Sequence, residues 1–145
     1  MLFDQQNPIN QLCAQGMLLE GEAKPEEAAK LFMQAWHEAN NSAEKFIAAH
    51  YVARHQNTVA DKLKWDETAL GLALELDTSE AKGALPSLYL NVAKCYEDLK
   101  DFDMALANYQ LALRYAASLP GDGYSNMIRS GIKNGIERVQ ESKQD

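Results

Sequence analysis

Two stretches of the sequence carry small residues at the same twelve-residue spacing, and this spacing constrains the fold more than any other feature. Gly16 stands twelve positions before Ala28, and Ala93 stands twelve positions before Ala105. In both stretches an aromatic residue follows the second small residue by four positions. Helix axes pack about 8–10 Å apart, and small residues at the crossing permit the shorter distance. The spacing therefore predicts two hairpins of closely packed helices.

Apolar residues recur at helical spacing along almost the whole chain, and no segment alternates apolar and polar residues as a half-buried strand does. Asn7-Pro8 and Pro25 are typical helix starts, and Asn41-Ser42 provides another cap. The stretch from Asn57 to Lys64 leaves open whether a helix continues or the chain bends, so a helix is predicted only for Trp65–Leu76. Asp77 to Gly83 is predicted to be a linker. We expect an all-α fold of about seven helices in one domain over 1–145, with pairs at about 8–40, 43–77 and 84–119 and a capping helix at about 123–142.

The composition narrows the classes of function. The 145 residues suit a single domain, and the net charge of −7 disfavours nucleic acid, which needs a basic face. No stretch approaches the ~20 apolar residues of a membrane span, and the first residues lack a basic, then apolar, signal sequence. Cys13 and Cys95 form no CxxC motif and are expected to be buried, reduced thiols. These features predict a cytoplasmic protein that binds neither membrane nor nucleic acid.

The hairpin from Leu85 to Pro120 resembles the tetratricopeptide repeat, whose pattern combines small and aromatic residues over 34 positions. The matching residues are Tyr89, Val92, Ala93, Tyr96, Phe102, Ala105, Tyr109 and Ala112. The first hairpin matches through Leu12, Gly16, Leu19, Ala28, Phe32 and Ala35, whereas the middle pair is degenerate and its register stays open. The resemblance implies a right-handed superhelix of antiparallel helix pairs. It also implies a concave groove, lined by the first helix of each pair, that binds a peptide or a helix of a partner protein.

Groove positions follow from mapping this resemblance onto the chain. They are Asn10, Met17 and Glu20 in the first pair, Phe46, His50 and Arg54 in the second, and Asn91, Lys94 and Glu97 in the third. Some family members hold a C-terminal carboxylate with a cluster of polar residues, but here the first pair offers Cys13 and Met17 at those places. Arg54, Asn91 and Lys94 remain able to hold a carboxylate by charge-assisted hydrogen bonds.

The sequence contains no recognisable catalytic or cofactor motif. His37, His50 and His55 are its histidines, and none belongs to an HExxH metal motif. There is no P-loop and no GxGxxG after a strand. The acidic pairs Glu26-Glu27 and Asp66-Glu67 are expected at helix N-termini, where they offset the helix dipole. We therefore predict a scaffold that is not an enzyme and that needs no cofactor or metal.

Two alternatives remain open at this level. Gly131 and Gly135 lie one turn apart in the last helix, where they favour either tight packing of the cap or a seam for self-association, so the chain is expected to be a monomer or a homodimer. The other alternative is a small enzyme or enzyme subunit, for which a deep pocket converging on His50 or His55 would be the sign.

Overall fold

The computed structural model describes residues 2–144, and over this range the chain forms seven α-helices and no β-strand. The helices are α1 (Pro8–Gly21), α2 (Pro25–Glu38), α3 (Ser42–Val52), α4 (Val59–Leu76), α5 (Ser79–Asp98), α6 (Phe102–Ala116) and α7 (Gly123–Gln144). A 3₁₀ turn, Ala53–His55, extends α3. The predicted all-α class with about seven helices is confirmed.

Side-chain caps explain where several helices begin. The Asn7 side chain accepts hydrogen bonds from the amides of Ile9 and Asn10, and Pro8 occupies the first helical position of α1. Asn41 caps α3 by accepting from the amide of Glu44, as the sequence predicts. Asp101 caps α6 in the same way, through the amide of Met104.

The fourth helix is longer than predicted, because α4 begins at Val59 and not at Trp65. Thr58 accepts a hydrogen bond from the amide of Asp61 and so supports this earlier start. The placement of Asp66 at a helix N-terminus was therefore wrong. Asp66 lies in the middle of α4, is 2% exposed, and receives a hydrogen bond from Lys62 one turn earlier.

The linker predicted from Asp77 to Gly83 was also wrong, since α5 begins at Ser79. The Thr78 side chain caps this helix by accepting from the amide of Ala81. Pro86 then lies inside the helix and is buried. A proline inside a helix removes one backbone donor, yet α5 continues through Pro86.

The chain divides into two compact units, unit 1 (Met1–Leu76) and unit 2 (Asp77–Asp145), and the single domain predicted over 1–145 stays a prediction. In unit 1, α2 packs on α1 and α3, α3 packs on α4, and the alternate helices α1 and α3 also touch. In unit 2, α6 packs on α5 and α7, and the alternate helices α5 and α7 touch. Short loops make consecutive helices antiparallel, so each unit is built of helical hairpins.

The small residues at the predicted helix crossings are buried, as the twelve-residue spacing requires. Ala28, Ala93 and Ala105 have no exposed surface, and Gly16 is buried as well. Cys13 and Cys95 are free and buried, as predicted. Trp36 and Trp65 meet edge to face in unit 1, with their ring centroids 5.0 Å apart.

The turns of the first hairpin of each unit have the same geometry. Ala23 between α1 and α2 and Lys100 between α5 and α6 both have left-handed backbones, with φ of 61° and 64°. The next amide, of Lys24 or Asp101, bonds back to the carbonyl five residues earlier in both turns. This is the Schellman ending of a helix, whose left-handed position is usually glycine. Because the two turns lie 77 positions apart, as do Gly16 and Ala93, the hairpins are equivalent in structure as well as in sequence.

None of the helices in residues 2–144 combines the length and apolar character that a membrane crossing requires.

Replacing either left-handed turn residue by glycine should stabilise the protein. A non-glycine residue in this conformation costs roughly 1–2 kcal/mol, which glycine avoids apart from its larger entropy loss on folding. We expect Ala23→Gly and Lys100→Gly each to raise the free energy of unfolding in urea by about 0.5–1 kcal/mol. Ala14→Gly, at an exposed position inside α1, is the control and should lower it by about 1 kcal/mol. Loss of stability in both turn variants would contradict this account of the turns.

Candidate functional site

In unit 1, three of the predicted groove residues lie where the first helices α1 and α3 meet. The Tyr51 hydroxyl donates to the Sδ atom of Met17 at 3.1 Å. Arg54 donates to one carboxylate oxygen of Glu20 at 2.9 Å, and the other oxygen lies 2.7 Å from Nε2 of His55. These contacts join α1 to α3 and its 3₁₀ extension. The structure thus joins Glu20 directly to Arg54, whereas Met17 contacts Tyr51.

Stacked aromatic rings pack together beside these hydrogen bonds. Phe32 is fully buried in α2, and its ring stacks on Tyr51 at 5.1 Å and on His55 at 5.7 Å between centroids. The Arg54 guanidinium lies over the Tyr51 ring, 4.8 Å from its centroid, a favourable cation–π geometry. Gly16 is required beside this stack, because a Cβ there would overlap the Phe32 ring. We call Glu20, Phe32, Tyr51, Arg54 and His55 the Glu20 cluster.

Two further predicted residues of α3 differ in their exposure. Phe46 is buried, with 4% of its surface exposed, and belongs to the core. His50 is partly buried, and its ring contacts that of Tyr51 edge to face. Its Nδ1 atom is buried and has no hydrogen-bond partner among the described residues. Burial lowers the pKa of His50, with Arg54 lowering it further, Asp66 raising it and Lys62 lowering it.

Asn10 binds the chain's own N-terminal segment. Its Nδ2 atom donates to the carbonyl of Leu2 at 3.1 Å and to that of Asp4 at 2.8 Å. The amide therefore uses both of its N–H groups within unit 1.

In unit 2, the predicted groove residue Glu97 points toward its own core. Its carboxylate accepts hydrogen bonds from the Tyr109 hydroxyl at 2.7 Å and from Nε and Nη2 of Arg138 at 2.8 and 3.1 Å. Burial raises the pKa of Glu97, but the hydrogen bonds from Arg138 and Tyr109 and the charges of Arg138 and Lys94 together hold it below its ordinary value. Burial and the neighbouring carboxylate raise the pKa of Tyr109 well above its ordinary value. We call Glu97, Tyr109 and Arg138 the Glu97 cluster, which fastens α7 to α5 and α6.

The two clusters occupy equivalent places in their units. Glu97 follows Glu20 by 77 positions and Tyr109 follows Phe32 by the same number, so both pairs share the spacing of the turns. In each unit the glutamate of the first helix accepts from an arginine of the third helix or its extension, which is Arg54 in the 3₁₀ turn after α3 or Arg138 in α7. α7 therefore takes the place in unit 2 that α3 has in unit 1.

The glycine that packs against the buried ring lies on the first helix in unit 1 and on the third helix in unit 2. A Cβ at Gly135, in α7, would overlap the ring of Tyr109. Tyr51 precedes Arg54 by three positions, as Gly135 precedes Arg138, so Gly135 takes in unit 2 the position that Tyr51 has in unit 1. Gly135 is buried, which supports tight packing of the last helix over the alternative of a seam for self-association.

Asn91 and Lys94, the other predicted residues of unit 2, lie on α5. Asn91 is partly buried, whereas the Lys94 side chain is about half exposed and bonds to Asp98 at 2.6 Å, one turn further on. An exposed pair of this kind contributes little to stability, so Lys94 can exchange its partner at small cost.

Sequence reasoning missed five members of the clusters, namely Phe32, Tyr51, His55, Tyr109 and Arg138, as polar or stacking partners. Phe32 and Tyr109 were placed correctly as packing residues. The common spacing of Glu20 and Glu97 from their aromatic residues was a usable signal. The arginines that bind the two glutamates could not be predicted in this way, because the number of residues between the buried ring and the arginine differs between the two units.

Over residues 2–144 no group of three His, Cys, Asp or Glu side chains is arranged to hold a metal ion. Comparisons with protein-family models, with curated proteins and with solved structures gave no match. The resemblance to the tetratricopeptide repeat therefore stays a prediction that rests on the residues named above.

The two glycines of α7 should respond in opposite directions to alanine. Gly135→Ala forces the packed Tyr109 ring to move, and we expect it to lower the free energy of unfolding by about 1–3 kcal/mol. A Cβ at Gly131 would meet only the end of the Leu90 side chain, at 3.4 Å. Gly131→Ala should therefore raise stability by up to about 1 kcal/mol through helix propensity. Urea unfolding of both variants measures the difference, and equal effects would show that Tyr109 does not depend on Gly135.

His50 should make stability depend on pH. Its folded pKa is lowered from 6.5, so the unfolded chain binds more protons and the free energy of unfolding falls as pH falls through about 6.5 toward the folded pKa. Each unit of difference between folded and unfolded pKa corresponds to about 1.4 kcal/mol. The pKa values of Glu44 and Glu97 are lowered from 4.5, so these groups titrate below this window. Between pH 7 and pH 5, His50→Gln should lose less stability than the unchanged chain, whereas His37→Gln, at an exposed position, should match it.

Proposed function

We propose that the chain is a non-catalytic scaffold, similar to a tetratricopeptide-repeat protein, that binds a peptide or a helix of a partner protein on the first helices of its hairpins. The single observation that carries the proposal is the repetition of one three-helix arrangement in two units. In both, alternate helices are in contact and are joined by a glutamate–arginine bridge, with one hydrogen bond in unit 1 and two in unit 2. Repeated hairpins of this kind are a common way to build an extended binding surface.

The groove residues divide into those that hold the helices together and those that remain for a partner. Glu20 and Glu97 are engaged by arginine within their own units. Met17 is 45% exposed, and the side chains of Arg54 and Lys94 are 42% and 52% exposed. Met17 in unit 1 and Lys94 in unit 2 are thus accessible, whereas Arg54 is exposed but bonded to Glu20. The Met17 surface suits an apolar side chain of a partner, and Lys94 suits an acidic one.

The roles of the titratable groups support a non-catalytic protein. His55 is held between the Glu20 carboxylate and the Phe32 ring, where it joins helices. Burial raises the pKa of the Cys13 thiol to about 11, so at neutral pH very little of it is the nucleophilic thiolate. Both groups have structural roles that account for their positions.

The outer surface of α7 favours a cap over a seam for further packing. Phe46, Ala49 and Ala53, all buried in α3 and its extension, correspond to Ser130, Lys133 and Glu137 in α7. These three residues of α7 are exposed. Terminal repeats of solenoid proteins carry a polar outer face of this kind.

Substitution of Lys94 tests the proposed surface. We expect Lys94→Glu to reduce capture of a partner from a lysate of the cells that produce the protein, because the change reverses a charge on the first-helix surface of unit 2. Lys133→Glu is a matched control, since it also removes a cation one turn before an acid, Glu137, but on the outer face of α7. Quantitative mass spectrometry of the captured proteins gives the result. Capture that survives Lys94→Glu as well as Lys133→Glu would contradict the proposed face, provided that circular dichroism shows both variants folded.

A further inference from the structure

The thioether of Met17 is exposed to solvent and is also engaged by a hydrogen-bond donor. Met17 is 45% exposed. Its Sδ atom lies 3.1 Å from the Tyr51 hydroxyl, which donates to it across the contact between α1 and α3. A thioether sulfur is a weak acceptor, and a hydroxyl has only one proton to donate. The sulfur is therefore reached by solvent on one side and by a protein donor on another.

Three neighbours hold the Tyr51 ring in place. It stacks on the buried Phe32 ring at 5.1 Å and meets the His50 ring edge to face at 5.4 Å between centroids. The Arg54 guanidinium covers the ring, 4.8 Å from its centroid. Burial raises the pKa of Tyr51, so its hydroxyl keeps its proton at neutral pH. The donor therefore approaches the Met17 sulfur from one fixed direction.

The other methionines of residues 2–144 have no such donor. Met33, Met104 and Met127 are 36%, 43% and 63% exposed, and no hydrogen bond from the described part of the chain reaches their sulfur atoms. Met17 is therefore distinguished from them by its hydrogen bond and not by its exposure.

The contact between Met17 and Tyr51 is particular to unit 1. Met17 corresponds to Lys94 by the common spacing of 77 positions, and Tyr51 corresponds to Gly135 on the third helix. Unit 2 therefore has neither a thioether nor a hydroxyl at these two positions, although its hairpin is built in the same way. The repeated architecture does not require this contact.

Oxidation of a thioether by a hydroperoxide requires an accessible lone pair on sulfur. The lone pair attacks the terminal oxygen of the peroxide, the O–O bond breaks, and the proton of the transferred oxygen passes to the oxygen that leaves. With hydrogen peroxide the products are methionine sulfoxide and water, because sulfur gives up two electrons and the peroxide accepts them. The sulfur of the product is chiral, since attack through one lone pair or the other places the oxygen on opposite sides.

The hydrogen bond from Tyr51 makes the two lone pairs of the Met17 sulfur unequal. One accepts the hydroxyl proton and is covered by the fixed ring, whereas the exposure of Met17 leaves the other open to solvent. Attack through the open lone pair adds oxygen on the side away from Tyr51. One epimer should therefore form in an excess of about two- to tenfold, the ratio that corresponds to the net value of one hydrogen bond.

We propose that Met17 is a site of reversible oxidative modification, at which a hydroperoxide forms predominantly one epimer of the sulfoxide and the Tyr51 hydroxyl selects that epimer. Methionine sulfoxide reductases, each specific for one epimer, reverse the reaction. They remove the oxygen as water while two thiols become a disulfide. Oxidation converts an apolar side chain on the first helix of unit 1 into a polar one. The modification requires no partner, so it is independent of the proposed function.

Hydrogen peroxide treatment of the complete, folded chain tests the proposal. The oxidised chain is digested, and its peptides are incubated with dithiothreitol and one or the other class of epimer-specific reductase. Mass spectrometry of the peptides that contain Met17 or Met127 then measures the fraction of sulfoxide that each class removes. We expect the two epimers of Met17 to differ by at least about twofold and those of Met127 to be nearly equal. The same chain oxidised in urea should give nearly equal epimers at both positions.

Tyr51→Phe isolates the role of the hydroxyl, because it keeps the ring and removes the donor. In this variant, shown to be folded by circular dichroism, the epimers of Met17 should be as equal as those formed in urea. The comparison of folded and unfolded chains needs no variant, so it decides the outcome even if Tyr51→Phe does not fold. Absence of oxidation at Met17, equal epimers in the folded chain, or an excess that persists in folded Tyr51→Phe would each overturn the proposal.

Discussion

Both units depend on an aromatic ring that is packed against a helix backbone where no Cβ intervenes. Phe32 lies against Gly16, and Tyr109 lies against Gly135. Either ring is fully buried, so a displaced ring would leave a cavity or strain the neighbouring helices. The choice of flank follows from the other neighbours. In unit 1 the Phe32 ring has Gly16 of α1 on one side and Tyr51 of α3 on the other. In unit 2 the Tyr109 ring packs with Ala93 of α5, and the glycine is Gly135 of α7.

The carboxylates fix the position of the third helix once the rings are packed. Glu20 accepts from Arg54 and lies beside His55, and Glu97 accepts from Arg138 and Tyr109. These bonds are directional, so they select one rotation of the third helix about its axis where apolar packing would tolerate several. The first helices of each unit consequently present a defined set of side chains.

The sequence predicted the features that local spacing determines. Helix class, the caps at Asn7 and Asn41 and the burial of Ala28 and Ala105 all follow from periodicity and residue size. The start of α5 was missed: residues 77–83 were predicted to be a linker, whereas the Thr78 side chain caps the helix within that stretch. Among the predicted groove residues, Glu20 binds Arg54 and Met17 contacts Tyr51, whereas Phe46 is in the core. Glu97 faces a tyrosine and an arginine whose positions no local pattern gives, since Arg138 lies 41 residues away.

The edge-to-face contact of the two indoles has a spectroscopic consequence. Trp36 and Trp65 are the only tryptophans of the chain, and both lie in unit 1. Emission excited at the red edge of the indole band reports on this half of the molecule alone, while the tyrosines of unit 2 are silent there. Far-ultraviolet ellipticity, by contrast, sums over all the helices. Comparison of the two signals during denaturation separates a cooperative molecule from one whose halves melt in turn, because coincident transitions are the signature of two-state behaviour.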